Sequence, residues 1–275
     1  MPLGHARKRA LMKYRLKDGL LQSGASGGKL WNPLTSGVTV LMLKQYNRYQ
    51  SFDTVAGKND YTIHPLKMGL LYDNTDFPSN PSLGSSQYVA VSRDFGWLES
   101  EKSWTFIEFE ASKYFDIGPS RLARQQVLAL NFWTADALTW KEHIDDQGYE
   151  VIDHRPPFSD GSTLGGLYRM RAYPTGRFND RSAIYTTAEY RYTPHWNPIK
   201  DISWLRFLRM DWWQLVGCIE GGRVAGSYDF KTLLSDWQYD GGLGLRAMMA
   251  GGVVRLDFAY SDEGVGIWAM FGHPF

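Results

Sequence analysis

Between Ser182 and Tyr192 every second residue changes character. Ala183, Tyr185, Thr187, Glu189 and Arg191 fall on one face of an extended strand, and Ile184, Ala188, Tyr190 and Tyr192 on the other. The pattern returns three times before the sequence ends. Leu243, Leu245, Ala247 and Met249 alternate with Gly242, Gly244, Arg246 and Met248. Val254, Leu256, Phe258 and Tyr260 alternate with Arg255, Asp257 and Ser261, and Val265, Ile267, Ala269, Phe271 and Phe275 are the apolar set of a final strand. A period of two specifies strands, and a strand apolar on one face and ionised on the other separates two environments. These are core and water in a soluble sheet, or lipid and a water-filled lumen in a membrane barrel.

Composition alone leaves a soluble β-protein and a membrane barrel both open. Aromatic residues make up 15%, with 11 Trp and 16 Tyr, and membrane barrels gather such residues in girdles at both interfaces. A mean hydropathy of −0.37 is compatible with that architecture, because only alternate residues face lipid. No apolar run approaches the ~18 residues of a membrane-spanning helix. The net charge of +1, with no basic run, argues against nucleic acid as a partner. A single cysteine, Cys218, excludes an internal disulfide and a thiolate metal cluster.

Turn chemistry and alternation predict strands over residues 37–49, 60–72, 85–97, 103–115, 121–135, 182–192, 211–220, 240–249, 253–261 and 264–275. The first two are joined by a turn at Ala56-Gly57-Lys58-Asn59. Residues 73–84, dense in Asn, Asp, Pro and Gly, form a turn, Gly118-Pro119 a tight connection, and residues 137–182 a long loop. Residues 1–35 are poorly readable, and residues 36–275 form one domain. Lys8, Arg9 and Lys13 flank only Ala10-Leu11-Met12, too short for a secretory leader. An exported barrel needs a leader, so one is expected outside this sequence.

Catalytic and metal readings fare poorly. Gly24-Ala25-Ser26-Gly27-Gly28 has the spacing of a nucleophile elbow, but the Lys29-Leu30-Trp31-Asn32-Pro33 that follows starts no helix. Glu108 and Glu110 share a face and could act as an acid/base pair, although lumen-facing strands routinely look like this. His143, Asp145, Asp146, Asp153 and His154 fit neither a calcium loop nor a zinc helix. Asp240-Gly241-Gly242 could serve a lipase, yet it opens an alternating strand. No catalytic residue, metal site or cofactor is assigned.

The words within the long loop and after it are more specific. Leu164-Gly165-Gly166, then Met170-Arg171-Ala172-Tyr173, then Glu189-Tyr190-Arg191 resemble the bacterial surface-antigen superfamily of outer-membrane assembly barrels, the BamA/TamA-like proteins. The resemblance extends over roughly residues 60–275. It includes the 73–84 turn, with Thr75 for the usual Arg, and Cys218-Ile219-Glu220-Gly221-Gly222, with Glu220 for the usual Asp. It ends on Gly272-His273-Pro274-Phe275, similar to the terminal insertion signal of such barrels, with Phe271 and Phe275 as its aromatic residues.

The resemblance implies an all-β, antiparallel transmembrane barrel of the outer-membrane type, with roughly ten to twelve strands in this chain and the 137–182 loop folded inward. It implies a loop tip of Arg171, Ala172 and Tyr173, Ala172 standing where Gly is usual and leaving the tip less free to adopt a positive φ. Glu189 and Glu220 become lumen partners of the tip arginine, and Arg255 and Asp257 secondary members of the network. Implied partners are outer-membrane lipid and lipopolysaccharide, client polypeptides, and a second chain along the first strand if the barrel does not close alone. The implied function is non-enzymatic: outer-membrane protein assembly or polypeptide translocation, in the outer membrane with a periplasmic C-terminus. The alternative is a structural anchor or pore, as a subunit or the C-terminal part of a larger passenger-carrying complex.

Overall fold

The computed structural model describes residues 2–3, 16–17, 20–21, 31–33, 37–54, 57–100, 102–199, 202–272 and 275. Ten strands follow one another: β1 (Val38–Gln45), β2 (Leu66–Asp73), β3 (Gly84–Asp94), β4 (Trp104–Asp116), β5 (Ala123–Ala137), β6 (Ser182–Pro194), β7 (Met210–Ala225), β8 (Gln238–Met249), β9 (Gly252–Ser261) and β10 (Gly264–Phe271). Each pairs antiparallel with the next, and a two-residue strand, Pro2–Leu3, lies against β1 to complete an eleven-stranded sheet. The fold is all-β. Helix among the described residues is confined to α1 (Phe230–Leu233) and to 3-10 turns at Phe158–Asp160 and Ser203–Leu208.

The sheet curls until distant strands meet. Phe77, from the connection after β2, packs with Trp212 of β7, Met248 of β8 and Val253 of β9, and Arg191 of β6 donates to the Pro81 carbonyl at 3.1 Å. Ring closure by backbone pairing does not occur among the described residues: β10 bonds only to β9.

The layering is inverted relative to a soluble sheet. Inward positions are polar and buried, with Glu189, Arg191 and Arg246 at 0% exposure. Outward positions are apolar and bare, with Ile219 at 68%, Leu243 at 72% and Phe271 at 81%. Burying charge costs free energy unless it is paired, and large apolar patches on the outside mark contact with another apolar phase.

Segments folded in from both ends occupy much of the interior and leave a cavity of about 450 Å³ beside Tyr88, Glu110 and Arg169. Trp104 and Trp133 from the wall pack with Leu164, Met170 and Tyr173 from the long loop. At the other end the 73–84 turn folds in. Thr75, at 2% exposure, donates its amide and hydroxyl to Asp73 Oδ1 at 2.7 Å each. Asp76 Oδ1 accepts from the amides of Ser82 at 2.8 Å and Leu83 at 3.1 Å.

Several boundaries differ from the sequence reading. The first hairpin is broken in two: β1 and β2 belong to the large sheet, while Arg48–Thr54 pairs with Gly57–Ile63 as a separate ribbon. Pro65, which lacks an amide donor, stands at the break. Gly57-Lys58-Asn59 is strand rather than turn. Strand β7 runs five residues past Glu220, through Gly221-Gly222, and Gly222 lets Leu164 of the loop pack where a Cβ would strike it. Phe275 does not continue the outward apolar set. Gly272 turns the chain with φ +86, and Phe275 stacks on Tyr114 at 6.3 Å, inside. The Gly24–Gly28 motif lies outside the described residues.

Candidate functional site

The long loop leaves β5, forms an exposed hairpin of Lys141–Ile144 with Glu150–Asp153, and returns through Pro156-Pro157. A second ribbon, Ser162–Leu164 with Phe178–Asp180, carries the tip between its arms. Gly165 and Gly166 have φ +106 and +108, and a Cβ on Gly165 would collide with the Pro174 carbonyl of the opposite limb. The tip closes with Tyr173 N donating to Met170 O at 3.1 Å. Its left-handed residue is Met170, φ 58, and Ala172 is not among the positive-φ positions. The expected restriction at Ala172 therefore does not arise, since the backbone there is one that any L-residue adopts.

Arg171 projects into the buried interior, where β6, β7 and β9 each present a carboxylate. Its Nη1 lies 3.1 Å from Glu189 Oε1 and 2.8 Å from Asp257 Oδ2, and its Nη2 lies 3.1 Å from Glu220 Oε1. Around it stand three further guanidinium groups. Arg191 Nη2 and Arg246 Nη2 approach Glu189 Oε2 at 2.9 and 2.7 Å, and Arg255 Nε approaches Asp257 Oδ2 at 2.5 Å. Tyr185 donates its hydroxyl to Glu220. Four buried guanidinium groups thus meet three buried carboxylates, Glu189, Glu220 and Asp257.

The tip's backbone is held as closely as its side chain. Arg171 N donates to Glu220 Oε2 at 2.7 Å and Ala172 N to Asp240 Oδ2 at 2.9 Å. Trp268 of β10 donates its indole N–H to the Arg171 carbonyl at 2.7 Å. Gly266, two residues before, sits where any Cβ would strike that same carbonyl. Toward the rim, Tyr173 Oη lies 3.1 Å from Asp262 Oδ1, and Arg177 grips Glu263 bidentately at 2.6 and 2.8 Å.

The loop also reaches the opposite edge of the sheet. Asp160 accepts from Tyr46 Oη at 2.7 Å and from Arg48 Nη1 at 2.5 Å. Arg169 lies over the Trp133 ring at 4.0 Å, with Nη2 3.4 Å from Glu110. At the exposed hairpin, a hydrogen bond from Lys102 holds the Asp153 carboxyl below its usual value.

The structure thus brings together Arg171, Glu189, Glu220, Arg255 and Asp257, all named from the sequence. It keeps Ala172 and Tyr173 beside them, and separates Phe271 and Phe275, one outside and one inside. Glu108 pairs with Lys67 and Glu110 with Arg169, so each carboxylate faces a cation. His143 comes within 3.7 Å of Asp153, whereas Asp145 accepts from the amides of Gln147 and Tyr149 at 2.9 and 2.8 Å and shapes its own turn. Among the described residues no three His, Cys, Asp or Glu side chains are disposed to hold a metal ion. Cys218, on the inward parity of β7, is a free thiol.

Sequence reasoning did not assign Arg191, Arg246, Asp240 or Trp268 to the network of the tip arginine, although it read Arg191 beside Glu189 and weighed Asp240 for a lipase. The first two were detectable, because they share strand parity with the inward carboxylates. Asp240 and Trp268 bond to backbone groups of the tip, and no spacing rule reports such a contact.

What this arrangement does chemically is fasten. A guanidinium presents several donors in a plane and fits carboxylate pairs at defined angles, so Arg171 fixes both the depth and the orientation of the loop. No curated protein matches the chain. The Omp85 superfamily domain matches residues 34–266.

Proposed function

This chain belongs to the Omp85 superfamily, whose members are outer-membrane proteins of Gram-negative bacteria, and we propose that it is an integral β-barrel acting in outer-membrane protein assembly or polypeptide translocation. The observation that carries the membrane part is the inverted layering, with bare leucine, isoleucine and phenylalanine outside and paired charge inside. Lipid and lipopolysaccharide contact the outer face, the N-terminal edge of the sheet and β10 close the ring in the bilayer, and the C-terminal end of β10 is periplasmic. Closure follows from the medium: unpaired backbone groups facing hydrocarbon cost several kcal/mol each. The clients are polypeptides, and the role is not enzymatic.

In this reading the Arg171 centre holds the long loop as an internal brace, and the N-terminal strands provide the movable wall. The test is to fold the purified protein into vesicles and follow a urea-unfolded client barrel as it inserts. Faster client insertion than with empty vesicles supports assembly activity. A fully folded protein that leaves the client rate unchanged refutes it. A second reading, an anchoring barrel completed by another chain, is favoured by the two sheet edges that do not pair with each other. Native mass spectrometry in detergent separates the two, since a self-closing barrel is monomeric.

A further inference from the structure

The connection between β6 and β7 forms a shelf on the rim opposite the long loop. It is tied down on both sides. Trp213 Nε1 donates to the Trp196 carbonyl at 2.7 Å, Asn197 Nδ2 to Met210 O at 2.9 Å, and Ala250 N to Arg209 O at 3.3 Å. The shelf nevertheless exposes what a folded rim usually hides: Trp196 at 63%, Trp204 at 74% and Phe207 at 71%. The 3-10 turn Ser203–Leu208 has about three residues per turn, which places Trp204 and Phe207 on one side. Arg206 and its C-cap Arg209 are also exposed and make no ion pair among the described residues.

Apolar rings beside unpaired guanidinium groups form a surface for a membrane interface carrying negative charge. The shelf is continuous with the bare apolar face of β7 and β8, where Leu215, Ile219, Leu243 and Leu245 are exposed. Charge separates the two rims. Arg121, Arg124, Arg206 and Arg209 outnumber Asp116 and Asp211 on this one, whereas on the other Glu142, Asp145, Asp146, Glu150, Asp229, Asp236, Asp262 and Glu263 outnumber Lys102, Lys141, Arg155, Arg177 and Lys231.

We infer that the shelf of residues 195–199 and 202–209 is a docking surface for anionic phospholipid headgroups, with Trp204 and Phe207 seated among the acyl-chain ends and Arg206 and Arg209 on the phosphates. The inference rests on the membrane-barrel reading above and adds a headgroup preference to it. It also assigns this rim to the phospholipid leaflet.

The test uses the whole protein, reconstituted in phosphatidylcholine vesicles with traces of spin-labelled phosphatidylglycerol or spin-labelled phosphatidylcholine. The readout is the fraction of each lipid immobilised at the protein. Phosphatidylglycerol is expected to be preferred several-fold at low salt, with the preference weakened by added salt. Arg206→Gln with Arg209→Gln should abolish it, Arg206→Lys with Arg209→Lys should keep it, and Arg155→Gln on the opposite rim should not alter it. Insertion without any preference, or a preference that survives the double glutamine variant, overturns the inference. Failure to insert into either vesicle instead removes the membrane reading itself, and the docking surface with it.

Discussion

Arg171→Met tests whether the buried charge centre holds the loop. The substitution keeps most of the side-chain volume and leaves the backbone amide that donates to Glu220, so the loss is confined to the guanidinium. Its three carboxylate partners are not affected equally. Glu189 retains Arg191 at 2.9 Å and Arg246 at 2.7 Å, and Asp257 retains Arg255. Glu220 keeps hydrogen bonds from the Tyr185 hydroxyl and the Arg171 amide but, among the described residues, no ion pair to a second cation. The excess negative charge is therefore localised on Glu220. Leaving a buried charge without its partner costs about 3–5 kcal/mol. Glu220→Gln alone costs less, about 1–3 kcal/mol, because Arg171 still faces Glu189 and Asp257. In the double variant the orphaned charge is gone, so the two losses should fall short of additivity by about 1–3 kcal/mol. Urea unfolding in bilayers, read by tryptophan fluorescence and by the heat-dependent gel shift of a folded barrel, gives all four corners of the cycle. A cost below about 1 kcal/mol for Arg171→Met, or strict additivity of the pair, would refute the argument.

Ala172→Gly should not stabilise the tip, because Ala172 is not at a positive φ; a loss of about 0.5–1 kcal/mol is expected in the same unfolding assay. Gly266→Ala should displace the Arg171 carbonyl and break its bond to Trp268, seen as a shifted indole emission and a weakened gel shift. Leu243→Arg, on the bare outer face, should cost up to about 2–4 kcal/mol in bilayers if it lies near the midplane, and about 0–1 kcal/mol if it lies near an interface. The Asp153 carboxyl is held low by Lys102, so its contribution to docking the exposed hairpin is present above the ordinary carboxylate range. It is lost as pH falls through the folded value; protease nicking of residues 141–153 should rise only on acidification below about pH 4.

The strand count was legible because alternation is a local property. Residues 243–261 announce inward and outward faces without any knowledge of their neighbours, and the structure pairs them in that register. The Arg171 partners came from the likeness of the loop's wording to known barrels, since nothing local links residue 171 to residues 189, 220 and 257. Ends of elements were the weak point. The break at Pro65 and the extension of β7 through Gly221-Gly222 go with what packs there, the latter with Leu164 of the loop seated against Gly222. Phe275 was misread for the same reason: its stacking partner Tyr114 is on a strand far away in sequence. Sequence alone also leaves ring closure open, because both outer strands carry adequate patterns and neither names its partner.

The charge centre draws all its members from residue 171 onward. Glu189, Arg191, Glu220, Asp240, Arg246, Arg255 and Asp257 come from β6 to β9, and Gly266 and Trp268 from β10. Strands β1 to β5 contribute no ionised group to it. The molecule is therefore mechanically lopsided, with a stiff C-terminal half that closes around its own loop, β4 and β5 packed on that loop through Trp104 and Trp133, and the first strands attached by ladder bonds and rim contacts. Amide exchange should follow that division. Protection should be deepest in β6 to β9, whose opening exposes unpaired charge, and shallowest in β1 and β2, which can peel away as a cooperative unit while the brace stays intact.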